Sequence, residues 1–125
     1  MTKEAIFAEG APAAIGPYCH AVKVGNLVFL SGQLGLDPET GKLGGDIKEQ
    51  TRQAIANIKT VLASVGCTLD NVVKTTVYLG EMHFFNAMNE VYASEFGKPY
   101  PARSAFSVKE LPKQALVEIE VIAAL

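Results

Sequence analysis

The sequence is poor in the side chains that most often carry catalysis: two histidines, two cysteines and no tryptophan among 125 residues. Cys19 and Cys67 are too few for a disulfide framework and follow no pairing motif, so a reducing compartment, the cytoplasm, is expected. His20 and His83 have no second histidine or cysteine at ligand spacing, so no metal site is expected. A P-loop and a Gly-x-Ser-x-Gly elbow are both missing. Gly44-Gly45 leads into a helical pattern, but Asp46 would set a negative charge against any phosphate there. No apolar run approaches the ~20 residues of a membrane span, and the longest is interrupted by Glu118 and Glu120. The opening Met1-Thr2-Lys3-Glu4-Ala5 lacks the basic-then-apolar order of a secretory signal. Excess positive charge is missing too. Eleven basic residues against thirteen acidic ones give −2, with no basic cluster, whereas nucleic-acid affinity rests largely on neutralising phosphates.

What is present is apolar content, 49% of the chain, enough for one domain spanning residues 1–125 with a real core. Between Tyr18 and Gly35, two apolar runs flank Gly25-Asn26, a hairpin signal. The second run ends in Ser31-Gly32-Gln33-Leu34-Gly35, where glycine marks a bulge or a close backbone approach. Asp37 to Gly41 reads as a turn. Asp46 to Val65 predicts a helix, with Asp46 and Glu49 at capping-box spacing and Gly66 as the stop. Its buried stripe is Ile47, Thr51, Ala54, Ile55, Ile58, Val61, Leu62 and Val65; Lys48, Gln50, Arg52, Gln53, Asn57 and Lys59 take the opposite face. Val72–Leu79 predicts a strand and His83–Phe96 a second helix, ended by Gly97, Pro99 and Pro101. Strands over Arg103–Val108 and Ala115–Ala124 follow, joined through Leu111-Pro112-Lys113. The class is α+β, with two helices on one face of a sheet.

The uncovered sheet face is the informative one. Along the last strand, Val117, Ile119, Val121, Ala123 and Leu125 form one apolar side that should meet the helices. Leu116, Glu118, Glu120, Ile122 and Ala124 form the other. That mixture suits burial against further subunits better than open solvent.

Candidate chemistry is sparse. Arg103 could hold a carboxylate through two parallel hydrogen bonds, although a surface or structural arginine is the commoner case. Glu118 and Glu120 stand two apart on one strand face, about 7 Å from each other. On a partly buried face they must be paired or hydrogen-bonded, or one must hold its proton more tightly; an intersubunit ion pair would serve. Tyr18 and Asn89 could orient a ligand or be structural. His20 reads as a half-buried strand residue, His83 as a helix-opening one, and Cys19 and Cys67 as small fillers.

Several motifs in order then acquire meaning together. Pro101-Ala102-Arg103-Ser104-Ala105-Phe106, Leu111-Pro112 and Val117-Glu118-Ile119-Glu120 closely resemble the C-terminal signature of the Rid (YjgF) family of reactive-intermediate deaminases. Ala14-Ile15-Gly16-Pro17-Tyr18, Ser31-Gly32-Gln33, Val73-Lys74-Thr75-Thr76-Val77 and Asn89-Glu90-Val91-Tyr92 extend the resemblance over almost the whole chain. It implies a homotrimer of chorismate-mutase-like α+β subunits, with mixed sheets lining a central barrel and helices outside. It implies small-carboxylate sites in clefts between subunits. For the RidA branch it implies hydrolysis of enamines and imines, such as 2-aminoacrylate from pyridoxal-phosphate dehydratases, to 2-oxo acids and ammonia, without metal or organic cofactor. By the same resemblance Arg103 clamps the substrate carboxylate, Glu118 orients or activates water, and the Gly32 N–H helps bind the carboxylate. Tyr18, Ser31 and Asn89 line the cleft, Tyr18 as a candidate proton-transfer residue, and Lys74 is structural. Many relatives carry cysteine where this chain has Ala105, so thiol chemistry there is lost. Two other readings are a non-enzymatic carboxylate-binding regulator, and an endoribonuclease or translation inhibitor that the charge disfavours.

Overall fold

The computed structural model describes residues 2–125. Its strands are β1 (Glu4–Ile6), β2 (Ala21–Val24), β3 (Leu27–Leu30), β4 (Gln33–Leu34), β5 (Val72–Leu79), β6 (Ala102–Ser107) and β7 (Val117–Ala124); its helices are α1 (Ile47–Ala63) and α2 (Phe85–Glu95). Strand β1 is an addition to the expected elements, three residues being too few to show a period, and β4 is a second, split from the run before it at Ser31-Gly32. Strand β1 pairs with the hairpin, Glu4 opposite Lys23 and Ile6 opposite Ala21. The sheet runs β1-β2-β3-β7-β5-β6, with β4 pairing β7 beyond the end of β3. Only β5 and β6 are parallel, because α2 is the crossover between them.

Strand alternation decides what lies inside. Val117, Ile119, Val121 and Ala123 are buried, as are Thr51, Ala54, Ile55, Ile58, Val61 and Leu62 of α1. Each large aliphatic chain removed from water contributes roughly 1.5–3 kcal/mol, so this seam is the main stabilising contact. Leu125 lies past the strand end and is exposed, against the expected alternation. Strand β7 starts at Val117 rather than Ala115. The chain first makes a tight turn at Pro112–Gln114, where Lys113 and Gln114 adopt φ of 58° and 57°. Helix α2 likewise starts two residues late, after a tight turn at Met82–Phe84. No helix among the described residues is long and apolar enough to cross a membrane.

Two residues assigned to the solvent face of α1 are buried instead. Gln50 donates its Nε2 to Gly44 O at 3.0 Å and accepts the Leu116 N–H at 2.8 Å. Asn57 donates to Leu34 O at 3.1 Å and Leu36 O at 2.9 Å, and accepts from Gln53 at 2.9 Å. Both amides satisfy backbone groups of the chain that runs over the helix from β4. Helical periodicity cannot reveal this, because a polar side chain buried with partners reads like an exposed one. Gly35 shows how close the approach is: a Cβ there would overlap the Gln50 backbone. The helix start also differs in detail. Asp46 Oδ1 accepts the Glu49 N–H at 2.8 Å, but Glu49 Oε2 takes the Gly45 N–H, one residue before the cap.

Asn57→Ala strands two buried carbonyls and should lose about 2 kcal/mol of stability, while Arg52→Ala on the exposed side should change it by less than about 0.5 kcal/mol. Urea denaturation at matched protein concentration distinguishes them; equal midpoints would remove the structural role assigned to Asn57.

Candidate functional site

Arg103 is the second residue of β6, an edge strand, and lies opposite Thr75 of β5. Thr75 is buried and lies opposite Val121, so the guanidinium emerges on the helix side of the sheet. There α2 receives it. Its Cζ sits 4.7 Å from the centre of the Tyr92 ring and 5.5 Å from that of Phe85, and Nη1 donates to Asn89 Oδ1 at 2.6 Å. Tyr92 is itself fixed by stacking on Phe96 and by a 2.8 Å hydrogen bond between its hydroxyl and Thr75. The aromatic faces attract the cation and hold its plane. The ion pairs among the described residues join Lys48 to Glu90, Lys59 to Glu95 and His83 to Glu81, so no carboxylate neutralises Arg103. The hydrogen bond to Asn89 uses one of the five guanidinium N–H groups. Asn89, Tyr92, Ala93, Tyr100, Pro101 and Arg103 line an open pocket of about 410 Å³ around it.

Glu118 lies on the other face. It is opposite Tyr78 and Leu34, three residues before Val121, and therefore points away from the helices. Tyr18, Ser31, Gly32 and Glu118 all line a second pocket, about 510 Å³, together with His20 and Lys113. Gly32 lies directly against this neighbour: a Cβ there would fall on Glu118 Oε2 and turn the carboxyl out of its present place. Burial pushes the Glu118 carboxyl above its usual range, and the nearby Glu120 carboxylate adds to the shift. Ser31 donates its hydroxyl to Cys19 O at 2.7 Å, so towards a ligand this oxygen can only accept. Tyr18 is half exposed at the mouth.

The candidate residues thus separate into two groups: Arg103 with Asn89, and Tyr18 with Ser31, Gly32 and Glu118. Neither of these two pockets contains both. Sequence reasoning does not find Tyr92 as the platform under Arg103, nor Tyr78, whose hydroxyl donates to Glu120 Oε1 at 2.5 Å. The run Val73-Lys74-Thr75-Thr76-Val77-Tyr78 shows alternation, but which strands flank it is not written there.

The remaining candidates are structural. His20 accepts the Ala8 N–H on Nδ1 at 2.8 Å, so Nε2 carries the proton and donates to Pro12 O at 2.7 Å. It is buried and pins the segment before β2, rather than half filling a strand surface. Cys67 is buried, Cys19 donates to Ala21 O, and Lys74 donates to Ser104 Oγ at 3.2 Å. Among the described residues no three His, Cys, Asp or Glu side chains gather as a metal site would need.

The Glu118 shift predicts a pH dependence of stability. Below about 4.5, its ordinary value, folded and unfolded chains both carry the proton and nothing is lost. As pH rises from there towards the elevated folded value, the unfolded chain ionises while the folded chain resists, so stability falls, and the loss levels off once both are ionised. Glu118→Gln should therefore match the wild type in melting temperature near pH 4 and exceed it by a gap that grows above about 4.5 and then stays constant. A gap that closes or reverses with rising pH would mean that a cation partners this carboxylate.

The sequence model of a family described as Endoribonuclease L-PSP matches residues 8–125. A RutC family protein of Pyrococcus abyssi is 54% identical over 124 residues, which cover 98% of each chain. The 2-iminobutanoate/2-iminopropanoate deaminase of Mus musculus is 46% identical over 124 residues, covering 98% of this chain and 92% of that one. The crystal structure of RidA from an Antarctic Psychrobacter superposes with a TM-score of 0.94 at 46% identity, over 98% of this chain and 99% of that one.

Proposed function

This chain belongs to the Rid (YjgF) family, whose sequence model is described as Endoribonuclease L-PSP, and we propose that it hydrolyses enamine and imine intermediates to 2-oxo acids and ammonia in a site shared between subunits of a homotrimer. The observation that carries this reading is the division of the site. Arg103, preset on Tyr92 and Asn89, is a cation without a carboxylate partner among the described residues, and Glu118 is a half-buried carboxyl in a pocket where no cation among those residues pairs with it. Packing the edge that carries Arg103 against the neighbour's uncovered face would join the two. Leu27, Phe29 and Phe106 on that face are 36%, 41% and 45% exposed, an apolar surface that suits burial by a second copy. Closed assemblies repeat such a contact around an axis, and three copies would yield three equal sites.

The chemistry asks little of the protein. The enamine takes a proton at its terminal carbon and becomes the imine. Water adds to the imine carbon, its oxygen forming the new C–O bond. The C–N bond then breaks as the nitrogen takes up a proton and leaves as ammonia, and the oxygen, losing its hydrogen, becomes the carbonyl. Arg103 grips the substrate carboxylate with its free N–H groups and so fixes the reacting carbon, with the Gly32 N–H a second donor for the same carboxylate. Glu118 orients the water and, because its raised affinity keeps a proton available, supplies that proton to the departing nitrogen. Tyr18 closes the mouth and is the second candidate for proton transfer. Ser31 contributes an acceptor. Two unpaired cysteines suit a cytoplasmic setting.

RNA cleavage, which the family description names, finds less support in this site. Both ring nitrogens of His20 are held by backbone groups, His83 is exposed beside Glu81, and the chain carries no excess of positive charge. A pure ligand-binding role uses the same residues and is separated from catalysis only by turnover.

The test is accelerated ammonia release when the protein is added to a serine or threonine dehydratase reaction. Arg103→Ala should lower that acceleration about 100-fold or more, to the rate of buffer. Arg103→Ala and Glu118→Gln, each inactive alone, should regain about a quarter of wild-type activity when unfolded and refolded together, since one in four interfaces then pairs an intact arginine with an intact glutamate. No recovery, or a monomeric mass in light scattering, would rule out the shared site.

A further inference from the structure

The two carboxyl groups of β7 are not equivalent, and the difference rests on a tyrosine that the proposed reaction does not use. Glu118 turns towards Gly32 and the pocket with Tyr18, whereas Glu120 turns across the sheet towards β5. Register places Tyr78 opposite Glu118 and Thr76 opposite Glu120, so the phenol reaches diagonally, past its own partner, to the carboxylate two residues on. The ring is held for this by Phe106 of β6, edge-on at 5.5 Å between ring centres. A phenol offers a single proton, and here it is given to Glu120 at 2.5 Å.

We infer that Tyr78 is a positioning residue: by donating its hydroxyl to Glu120 it holds that carboxylate on the β5 side of the strand and leaves Glu118 as the carboxyl that keeps its proton on the side of the pocket. Two carboxyl groups on one strand face compete for a proton, and a hydrogen bond to the charged form decides which one gives it up. The bond pushes the Tyr78 hydroxyl up to about 12, so the donor stays protonated throughout the range in which the carboxyls titrate. Other groups facing the pair do not reach it. Lys74 of β5 lines a small hollow with Glu120, Thr76 and Phe29, but its amine is given to Ser104 and makes no ion pair with Glu120 among the described residues. Tyr18 and Lys113 border the pocket of Glu118, without an ion pair to it among the described residues. His20 is occupied by backbone on both nitrogens, β3 and β4 bring no ionisable side chain to β7, and β6 brings Ser104 and Phe106. The inference rests on the hydrolytic reading for its consequence: a protonated Glu118 beside the bound imine is the acid that releases ammonia.

The experiment follows the carboxyl carbons of Glu118 and Glu120 by NMR against pH in the intact protein, comparing wild type, Tyr78→Phe, Glu120→Gln and the double variant. Tyr78→Phe keeps the ring and its contact with Phe106. It should lower the Glu118 midpoint. Glu120→Gln should lower the Glu118 midpoint as well, and adding Tyr78→Phe to it should move Glu118 no further. The alkaline limb of imine hydrolysis should shift to lower pH in step with Glu118. Unchanged midpoints in Tyr78→Phe, additive effects in the double variant, or a rate limb that ignores the Glu118 midpoint would each overturn the inference. A protein with coupled midpoints but no hydrolysis would instead overturn the proposed function, because the titration needs no turnover.

Discussion

Seven strands and two helices leave this chain with half of its sheet uncovered, and the two-residue period of β7 turns that shortage into a division of labour. Its apolar positions, Val117 to Ala123, are sealed under α1, and that seam holds the fold together. The intervening positions are thereby freed from the core of the chain and carry Glu118 and Glu120 outward. Any shift of register by one residue would bury both carboxylates beneath a helix and expose four aliphatic chains, so the placement of the acid group and the stability of the subunit are one requirement.

The same alternation on β6, read through its parallel pairing with β5, sends Arg103 the opposite way. Its environment is built from α2, because the crossover that makes β5 and β6 parallel also lays Phe85, Asn89 and Tyr92 over the edge strand. A long, flexible arginine normally loses much of its freedom when it binds an anion. Here the aromatic faces and the Asn89 carbonyl restrict it beforehand, so less remains to be lost on binding. The absence of a carboxylate partner leaves its charge available.

Much of this is legible in the sequence because periodicity writes burial directly. The stripe of α1, the hairpin about Gly25-Asn26 and the two sides of the last strand can be read from spacing. The unreadable parts are those that depend on neighbours. Gln50 and Asn57 look like solvent-facing residues because their partners are carbonyls and N–H groups brought over the helix from elsewhere in the chain. That Arg103 and Glu118 face opposite ways cannot be read from either strand alone, since it requires the register of β6 on β5 and of β5 on β7 together. Gly32 is intermediate: its motif points to a close approach, but only the fold shows that Glu118 is what approaches.

Placing an acid and a cation on opposite faces of one sheet has a physical merit beyond assembly. Brought together in one subunit, Arg103 would favour ionisation of Glu118 and cancel the burial that now holds its proton. Separated, each keeps the state the proposed reaction would need: the arginine charged and without an ion pair among the described residues, the glutamate partly buried and reluctant to ionise. In the proposed shared site an anionic substrate would enter between the two halves and take up the guanidinium, so that the ligand rather than the proposed acid would neutralise the cation. Glu120 remains behind, bonded to Tyr78, as a fixed negative charge that opposes ionisation of its neighbour. The carboxyl pair, which looks wasteful for a strand facing its own kind, is on this account what keeps a proton within reach of a leaving amine.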